Sequence, residues 1–213
     1  MNFLPAEIEQ YAEAHTSPEP VLLRELNRET NLNVLMPRML SGHLQGRVLS
    51  FISKLLKPDF VLEIGTYTGY SALCLAEGLT ANGELHTIDN NEELDGMAKR
   101  FFSRSASAGK ITKHLGNASD VIPSLNHTWD IVFIDADKQN YLKYYEMIFD
   151  SVRPGGIILA DNVLWSGKVV SPVADNDKET QAIIKFNEFI LKDDRVDKLL
   201  LPVRDGIYCV MKK

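Results

Sequence analysis

Two short runs carry the residues best suited to chemistry: Phe133-Ile134-Asp135-Ala136-Asp137-Lys138 and Leu159-Ala160-Asp161-Asn162. Each closes an apolar stretch that reads as a β-strand. Asp135, Asp161 and Asn162 would together offer three oxygen donors to one ion. Hard oxygen donors suit Mg²⁺ best, with Mn²⁺ and Ca²⁺ as alternatives. Three protein ligands leave about three octahedral positions for water and substrate oxygens, as a catalytic ion requires. A strand-end acid is, taken singly, a common turn or cap residue. The coincidence of both clusters at one sheet edge favours the ion. Lys138, three residues past Asp135, would ordinarily be a solvated surface lysine. Beside a cation its ammonium pKa should fall, and a neutral amine could take a proton from a substrate hydroxyl. Trp165 could wall a pocket for a flat aromatic ring, although a core or intersubunit position fits an indole equally well.

A second constellation lies earlier, at Glu63-Ile64-Gly65-Thr66-Tyr67-Thr68-Gly69-Tyr70-Ser71. Gly65 and Gly69 permit a tight turn and the approach of a ligand where a Cβ would collide. The helix that starts near Tyr70 would aim its first amides at that ligand. The spacing is neither the dinucleotide fingerprint G-x-G-x-x-G nor a triphosphate loop, and Tyr67 and Thr68 stand where phosphates would want small residues. A nucleoside without phosphates fits better. Asp89 ends the next strand, placed to accept ribose hydroxyls. A plain strand-to-helix turn is the competing explanation. Glu63 weighs against it, because a carboxylate in an apolar strand is costly to bury without a partner.

The elements that must position these residues follow from periodicity. Strands are expected over Phe60–Gly65, Glu84–Asp89, Ile111–Leu115, Trp129–Asp135 and Gly156–Asp161. Helices are expected between them over Tyr70–Leu79, Glu92–Ala108, Ser119–Leu125 and Asn140–Val152. This alternation predicts an α/β fold with a mostly parallel sheet covered on both faces. A helix near Lys178–Leu191 precedes two strands, Val196–Leu201 and Gly206–Lys212, whose short turn Val203-Arg204-Asp205 makes them antiparallel. Ahead of the core, helices are expected over 3–14, 20–29 and Ser41–Leu56, the last with apolar residues at Leu44, Val48, Leu49, Ile52, Leu55 and Leu56.

The 213 residues support one domain, with residues 1–30 as a helical extension and 31–213 as the core. A net charge of −6 gives no broad attraction for nucleic acid. Cys74 and Cys209 read as buried thiols of a reducing compartment. No segment resembles an export signal or a membrane span, so a cytoplasmic location is expected, and the N-x-S/T triplets at Asn117 and Asn126 are taken as chance. The five histidines (15, 43, 86, 114 and 127) look scattered, each in a surface or capping role.

Over roughly residues 30–213 the sequence resembles the cation-dependent O-methyltransferases, the group that contains the caffeoyl-coenzyme A and catechol enzymes. The resemblance rests on Glu63-Ile64-Gly65 through Ser71, Phe133 through Lys138, Ala160-Asp161-Asn162-Val163-Leu164-Trp165, and Pro202-Val203-Arg204-Asp205-Gly206. It implies a Rossmann-like, seven-stranded sheet with the last strand reversed, and use of S-adenosylmethionine. It also implies a metal on Asp135, Asp161 and Asn162, with Lys138 as the base. Glu63, Gly65 and Ser71 match the motif around the methionine moiety, and Asp89 the acid on the ribose. Met39 and Ser41 resemble the segment that covers the cofactor. Asn117 and Ala118 match the adenine contact, Asp137 the partner of the cofactor's ammonium, and Asp135 contributes to both sites. Asp120 lies close to this set without a clear role. A homodimer and a small phenolic acceptor, catechol-like or a caffeoyl-type ester, are likewise implied by the resemblance.

Other readings compete with this one. A tRNA hydroxyuridine methyltransferase of the same fold meets a mildly unfavourable charge and lacks an added RNA-binding domain. A nicotinamide-dependent dehydrogenase lacks its fingerprint. A binding protein without catalysis would not need Asp135, Lys138, Asp161 and Asn162. Amino-group methylation usually employs an Asn/Asp-Pro-Pro-Tyr loop, where this chain has Asp161-Asn162-Val163-Leu164.

Overall fold

A computed structural model describes residues 5–213. Its order is α1 (Ala6–Ala14), α2 (Val21–Asn33), α3 (Gly42–Leu56), β1 (Phe60–Ile64), α4 (Tyr70–Ala76), β2 (Glu84–Asp89), α5 (Asp95–Ser103) and β3 (Ile111–Leu115). There follow α6 (Ala118–Val121), β4 (Trp129–Ile134), α7 (Tyr141–Phe149), β5 (Val152–Asp161), α8 (Lys178–Lys192), β6 (Val196–Leu201) and β7 (Ile207–Lys212). The start of the first expected helix, at residues 3 and 4, lies outside the described residues. No helix among the described residues is long and apolar enough to cross a membrane.

The seven strands form one sheet in the order β3-β2-β1-β4-β5-β7-β6. Only β7 runs antiparallel to its neighbours. It is inserted between β5 and β6, so the reversed strand lies inside the sheet and β6 forms the edge. Strand order reverses between β1 and β4, and open α/β sheets bind ligands at such a point, beyond the carboxyl ends of the strands. Gly65, Asp135, Asp161 and Asp89 stand at or just past those ends.

Alternation along the strands builds two apolar layers. Leu62, Ile64, Val132 and Ile134 pack with Tyr141, Tyr145, Ile148, Ile183 and Phe186 on the face covered by α7 and α8. Val61, Ile131 and Phe133 pack with Leu26, Leu49, Tyr70, Leu73 and Phe101 on the other face. Both free thiols are buried, as expected.

Several elements are shorter than periodicity predicted. Helix α5 spans Asp95–Ser103 rather than 92–108, because Ser103 to Gly109 favours turns over helix. Helix α6 is a single turn, with Pro123 in a following 3₁₀ turn over Ile122–Ser124. Strand β5 starts earlier than expected, at Val152. Its pairing with β4 shifts register between Trp129 and Ile131, accommodating Pro154-Gly155-Gly156.

The buried side of α3 differs more. It carries Gln45, Gly46, Leu49, Ser50 and Ser53, whereas Leu55 is 69% exposed. Gly46 explains the docking: a Cβ there would lie 2.6 Å from the Tyr70 ring and 2.9 Å from Cys74 Sγ. Histidines also depart from expectation. His15 bonds Tyr11 O at the end of α1, a capping role. His86, by contrast, is buried, its Nδ1 lies 3.0 Å from His114 Nε2, and its ring packs at 4.6 Å from that of His127. These three are neighbours across β2, β3 and the approach to β4, not scattered surface groups.

Candidate active site

A cleft of about 1570 Å³ opens beyond the carboxyl ends of β1, β2, β4 and β5. Met39, Gly65, Asp89, Asn117, Ala118, Asp120, Asp135, Asp137, Lys138, Asp161, Asn162 and Trp165 all line it. Ser41, Glu63 and Ser71 lie behind its wall, each nearly inaccessible to solvent.

The turn after β1 forms the floor. Gly65 adopts φ +104°, and a Cβ there would come within 1.9 Å of the Asp135 carbonyl oxygen. A Cβ on Gly69, at φ +93°, would meet the Phe102 ring at 2.5 Å. The two glycines are therefore required first by contacts inside the protein. The Asp135 amide donates to Ile64 O at 2.8 Å, which ties the two strand ends together. Tyr67 follows at φ +51°; its amide donates to Asp89 Oδ2 at 2.7 Å, and its hydroxyl to the Met36 carbonyl at 2.9 Å. Asp89 Oδ1 accepts the Asn91 amide at 2.8 Å. Each carboxylate oxygen keeps a further lone pair for a ligand hydroxyl.

Glu63 is fully buried under α4. Its Oε2 accepts from Thr87 Oγ1 at 2.5 Å, and Thr66 and Thr87 hydroxyls are 2.6 Å apart. Oε1 has no partner. Burial pushes the Glu63 carboxyl up to about 8, against the lowering effect of the nearby Ser71 and Thr87 hydroxyls. A buried, half-satisfied acid beneath the glycine turn is costly for folding alone. It has the chemistry to receive a donor or a positive charge from a bound molecule.

Beside the glycine turn, the acids of β4 and β5 converge. These strands pair directly, with Ile134 opposite Ala160, so Asp135 and Asp161 follow on neighbouring ends. Asp161 is 3% exposed. Its carboxyl is pushed up to about 7 by burial and then by the Asp135 charge, with Lys138 and Gln45 acting in the opposite direction. Its Oδ1 accepts the Asn162 amide at 2.8 Å and its Oδ2 the Gln45 side-chain amide at 2.6 Å. Asn162 takes φ +59°, a left-handed conformation that asparagine tolerates better than most residues. Among the described residues no group of three or more His, Cys, Asp or Glu is gathered as for an ion. The set here is two carboxylates and one amide, and the crowding of the acids is what a bound cation would relieve.

Lys138 is not the solvated lysine that its loop position suggested. It is 8% exposed. Its Nζ donates to Asp135 Oδ1 at 3.1 Å and to the Tyr141 hydroxyl at 2.6 Å. Tyr141 in turn donates to the Asp161 carbonyl at 3.0 Å. The ammonium also lies 5.8 Å from the Trp165 ring centroid. Trp165 itself is at φ +46°, with its indole N–H buried and unpaired. Asp137 accepts from Tyr144 Oη at 2.7 Å and from the Asn140 amide. Asn117 bonds Asn90 at 3.3 Å and Asp120 at 3.5 Å, forming the rim beside β3.

Sequence reasoning missed Gln45 and Tyr141, and gave no contact to Tyr67 or Arg204, which it had noted only as parts of motifs. Arg204 donates to the carbonyls of Leu40, at 2.6 Å, and Ser41, joining the β6–β7 turn to the start of α3. Gln45 could have been suspected, since it shares a helix face with Leu49 four residues on. Tyr141 looked like core packing, and its ring does pack on Phe186.

Comparison with known proteins bears on the whole chain. A family model described as O-methyltransferase matches residues 13–213. The caffeoyl-CoA O-methyltransferase of Stellaria longipes is 34% identical over 195 residues, which is 87% of this chain and 80% of that protein. Caffeoyl-CoA O-methyltransferase 1 of Zea mays is 36% identical over 203 residues, 89% of this chain and 77% of that one. The O-methyltransferase of Bacillus cereus, solved in complex with SAH, aligns at TM-score 0.88 and 29% identity, covering 97% of each chain. An SAH-bound methyltransferase of Podospora anserina aligns at TM-score 0.89 and 28% identity, covering 100% of this chain and 99% of the other. The resemblance first drawn from four short motifs thus extends along nearly the full length, and the chain belongs to the O-methyltransferase family.

Proposed function

We propose that this O-methyltransferase moves the methyl group of S-adenosylmethionine onto one hydroxyl of a small ortho-diphenol or a caffeoyl-type ester, assisted by a divalent cation. The observation that carries this reading is the meeting of Asp135, Asp161, Asn162 and Lys138 in one cleft that Gly65 and Asp89 also line. The relatives named as caffeoyl-CoA O-methyltransferases support the acceptor class, and the SAH-bound neighbours support the cofactor.

Asp135, Asp161 and Asn162 are the residues that would hold the cation, with Mg²⁺ favoured by their oxygen donors. When bound, the cation supplies positive charge that lowers the pKa of an adjacent acceptor hydroxyl. S-adenosylmethionine supplies an electrophilic sulfonium methyl, which leaves as the new O–CH₃ bond forms and the sulfur becomes a neutral thioether.

The chain's own residues do the rest. Lys138 Nζ, as the neutral amine, takes the hydroxyl proton and becomes an ammonium, and Asp135 and Tyr141 hold that nitrogen in place. Asp89 receives the ribose hydroxyls, and Asp137 the cofactor's ammonium. Asn117 and Ala118 flank the base, while Met39 and Ser41 border the cofactor from the α3 side. Glu63, with Ser71, sits beneath the methionine moiety and offers its unpaired oxygen. Trp165 stacks along the aromatic acceptor. Orientation of oxygen against methyl supplies much of the acceleration, since effective molarities for well-placed groups reach about 10⁵ M or more. Methyl transfer should be assayed with labelled S-adenosylmethionine on catechol, caffeate, a caffeoyl thioester and total tRNA. Transfer to the diphenols and not to tRNA supports the reading; transfer to tRNA alone contradicts it.

A further inference from the structure

Helix α3 sends one polar side chain across the molecule to the proposed cation site. Gln45 is 1% exposed, and its amide reaches an oxygen of Asp161, 116 positions away, at 2.6 Å. A buried amide on a packed helix face is costly unless its hydrogen bonds are met. Nothing in the packing of α3 against α4 requires it, because Gly46, Leu49 and Ser53 make that contact.

We propose that Gln45 is a positioning residue that fixes the orientation of the Asp161 carboxylate for cation binding. The inference rests on the cation-assisted reading above. A neutral donor is suited to this role, because it pins Oδ2 by one hydrogen bond and leaves the carboxylate's charge for the ion. A lysine or arginine would compete with the ion instead. The Asn162 amide holds Oδ1 from the opposite side at 2.8 Å, so the carboxylate is restrained at both oxygens. Its remaining lone pairs are then fixed relative to Asp135. The helix that carries Gln45 is held in turn, since Arg204 grips the Leu40 and Ser41 carbonyls just before it.

The test compares the wild type with Gln45→Met, which keeps the bulk and removes the donor, and Gln45→Asn, which keeps the amide one methylene short. Mn²⁺ binding is followed by the electron paramagnetic resonance signal of free Mn²⁺, and S-adenosylmethionine binding by calorimetry. Groups that hydrogen-bond a metal ligand typically account for about 10- to 100-fold in affinity, and a loss of that size is expected in both variants. Cofactor affinity should stay at the wild-type value, while the thermal midpoint of the metal-free protein falls modestly, as the loss of one buried hydrogen bond requires. If Gln45→Met does not fold, Gln45→Asn decides alone. Wild-type Mn²⁺ affinity in the folded variants overturns the proposal while leaving the cation-assisted reading intact. A loss of cofactor affinity in step with Mn²⁺ also overturns it, assigning Gln45 to the scaffold. Absence of Mn²⁺ binding by the wild type overturns both.

Discussion

The Tyr141 hydroxyl stands 2.6 Å from Lys138 Nζ, accepting a hydrogen bond from it and donating one to the Asp161 carbonyl. One buried phenol thus links the proposed base to the backbone of a proposed cation ligand. Tyr141→Phe should leave both partners short of a hydrogen bond, costing about 1–3 kcal/mol of stability. Turnover should fall as well, because the lysine loses one of its two anchors. Denaturant unfolding and steady-state kinetics on the same preparation check both.

Lys138→Ala removes the group assigned to take the proton. General acid–base contributions are typically about 10²- to 10⁴-fold, and kcat should fall within that range. The affinity for S-adenosylmethionine should be retained, since none of the cofactor contacts is assigned to the Lys138 side chain itself. The drop should shrink as pH rises towards the acceptor's own pKa, where the diphenol ionises without help. A pH–rate profile of the variant measures this; a flat deficit would remove Lys138 from proton transfer.

Glu63 makes stability depend on pH. Its carboxyl is raised by burial from near 4.5 in the unfolded chain to about 8 in the fold, so folding favours the protonated form. That contribution is fully present below pH 4.5 and is lost as pH rises through about 8. Glu63→Gln should therefore lie closest to the wild type at low pH and gain relative stability progressively between about pH 4.5 and 8. Urea midpoints of the cofactor-free protein between pH 5 and 9 report the difference; parallel curves for the two proteins would contradict it.

The sheet was readable because buried parallel strands are continuous apolar runs, and acids at their ends interrupt that pattern visibly. Asp135, Asp161 and Asp89 were legible for this reason. Lys138 was legible by position but not by state, since its burial depends on Tyr141 and Trp165, which only the packed α7 and the loop after β5 bring near. Gln45 was hidden by a helix whose leucines suggested a different buried face. The histidine trio was hidden because the closeness of His86 and His114 depends on the β2–β3 register, in which Ile88 pairs with His114. The interior contacts that also require glycine at 65 and 69 could not be read from the sequence.

Gly65→Ala should accordingly be damaging although it removes no functional side chain. A Cβ 1.9 Å from the Asp135 carbonyl must push β1 and β4 apart or rotate the turn. Overpacking of this kind typically costs about 1–3 kcal/mol, and the positive φ adds to it. Asp135 would shift with the strand end, so both thermal stability and turnover should drop. A variant with unchanged stability would show that the turn relaxes freely.

Dependence on a divalent cation is the central claim, and removing the ion tests it most directly. Labelled methyl transfer from S-adenosylmethionine to catechol is measured after exhaustive EDTA treatment, then again with Mg²⁺ restored in excess. Loss of turnover in EDTA, recovery with Mg²⁺, and no recovery in Asp161→Ala are the predicted results. Full turnover in excess EDTA would contradict the account.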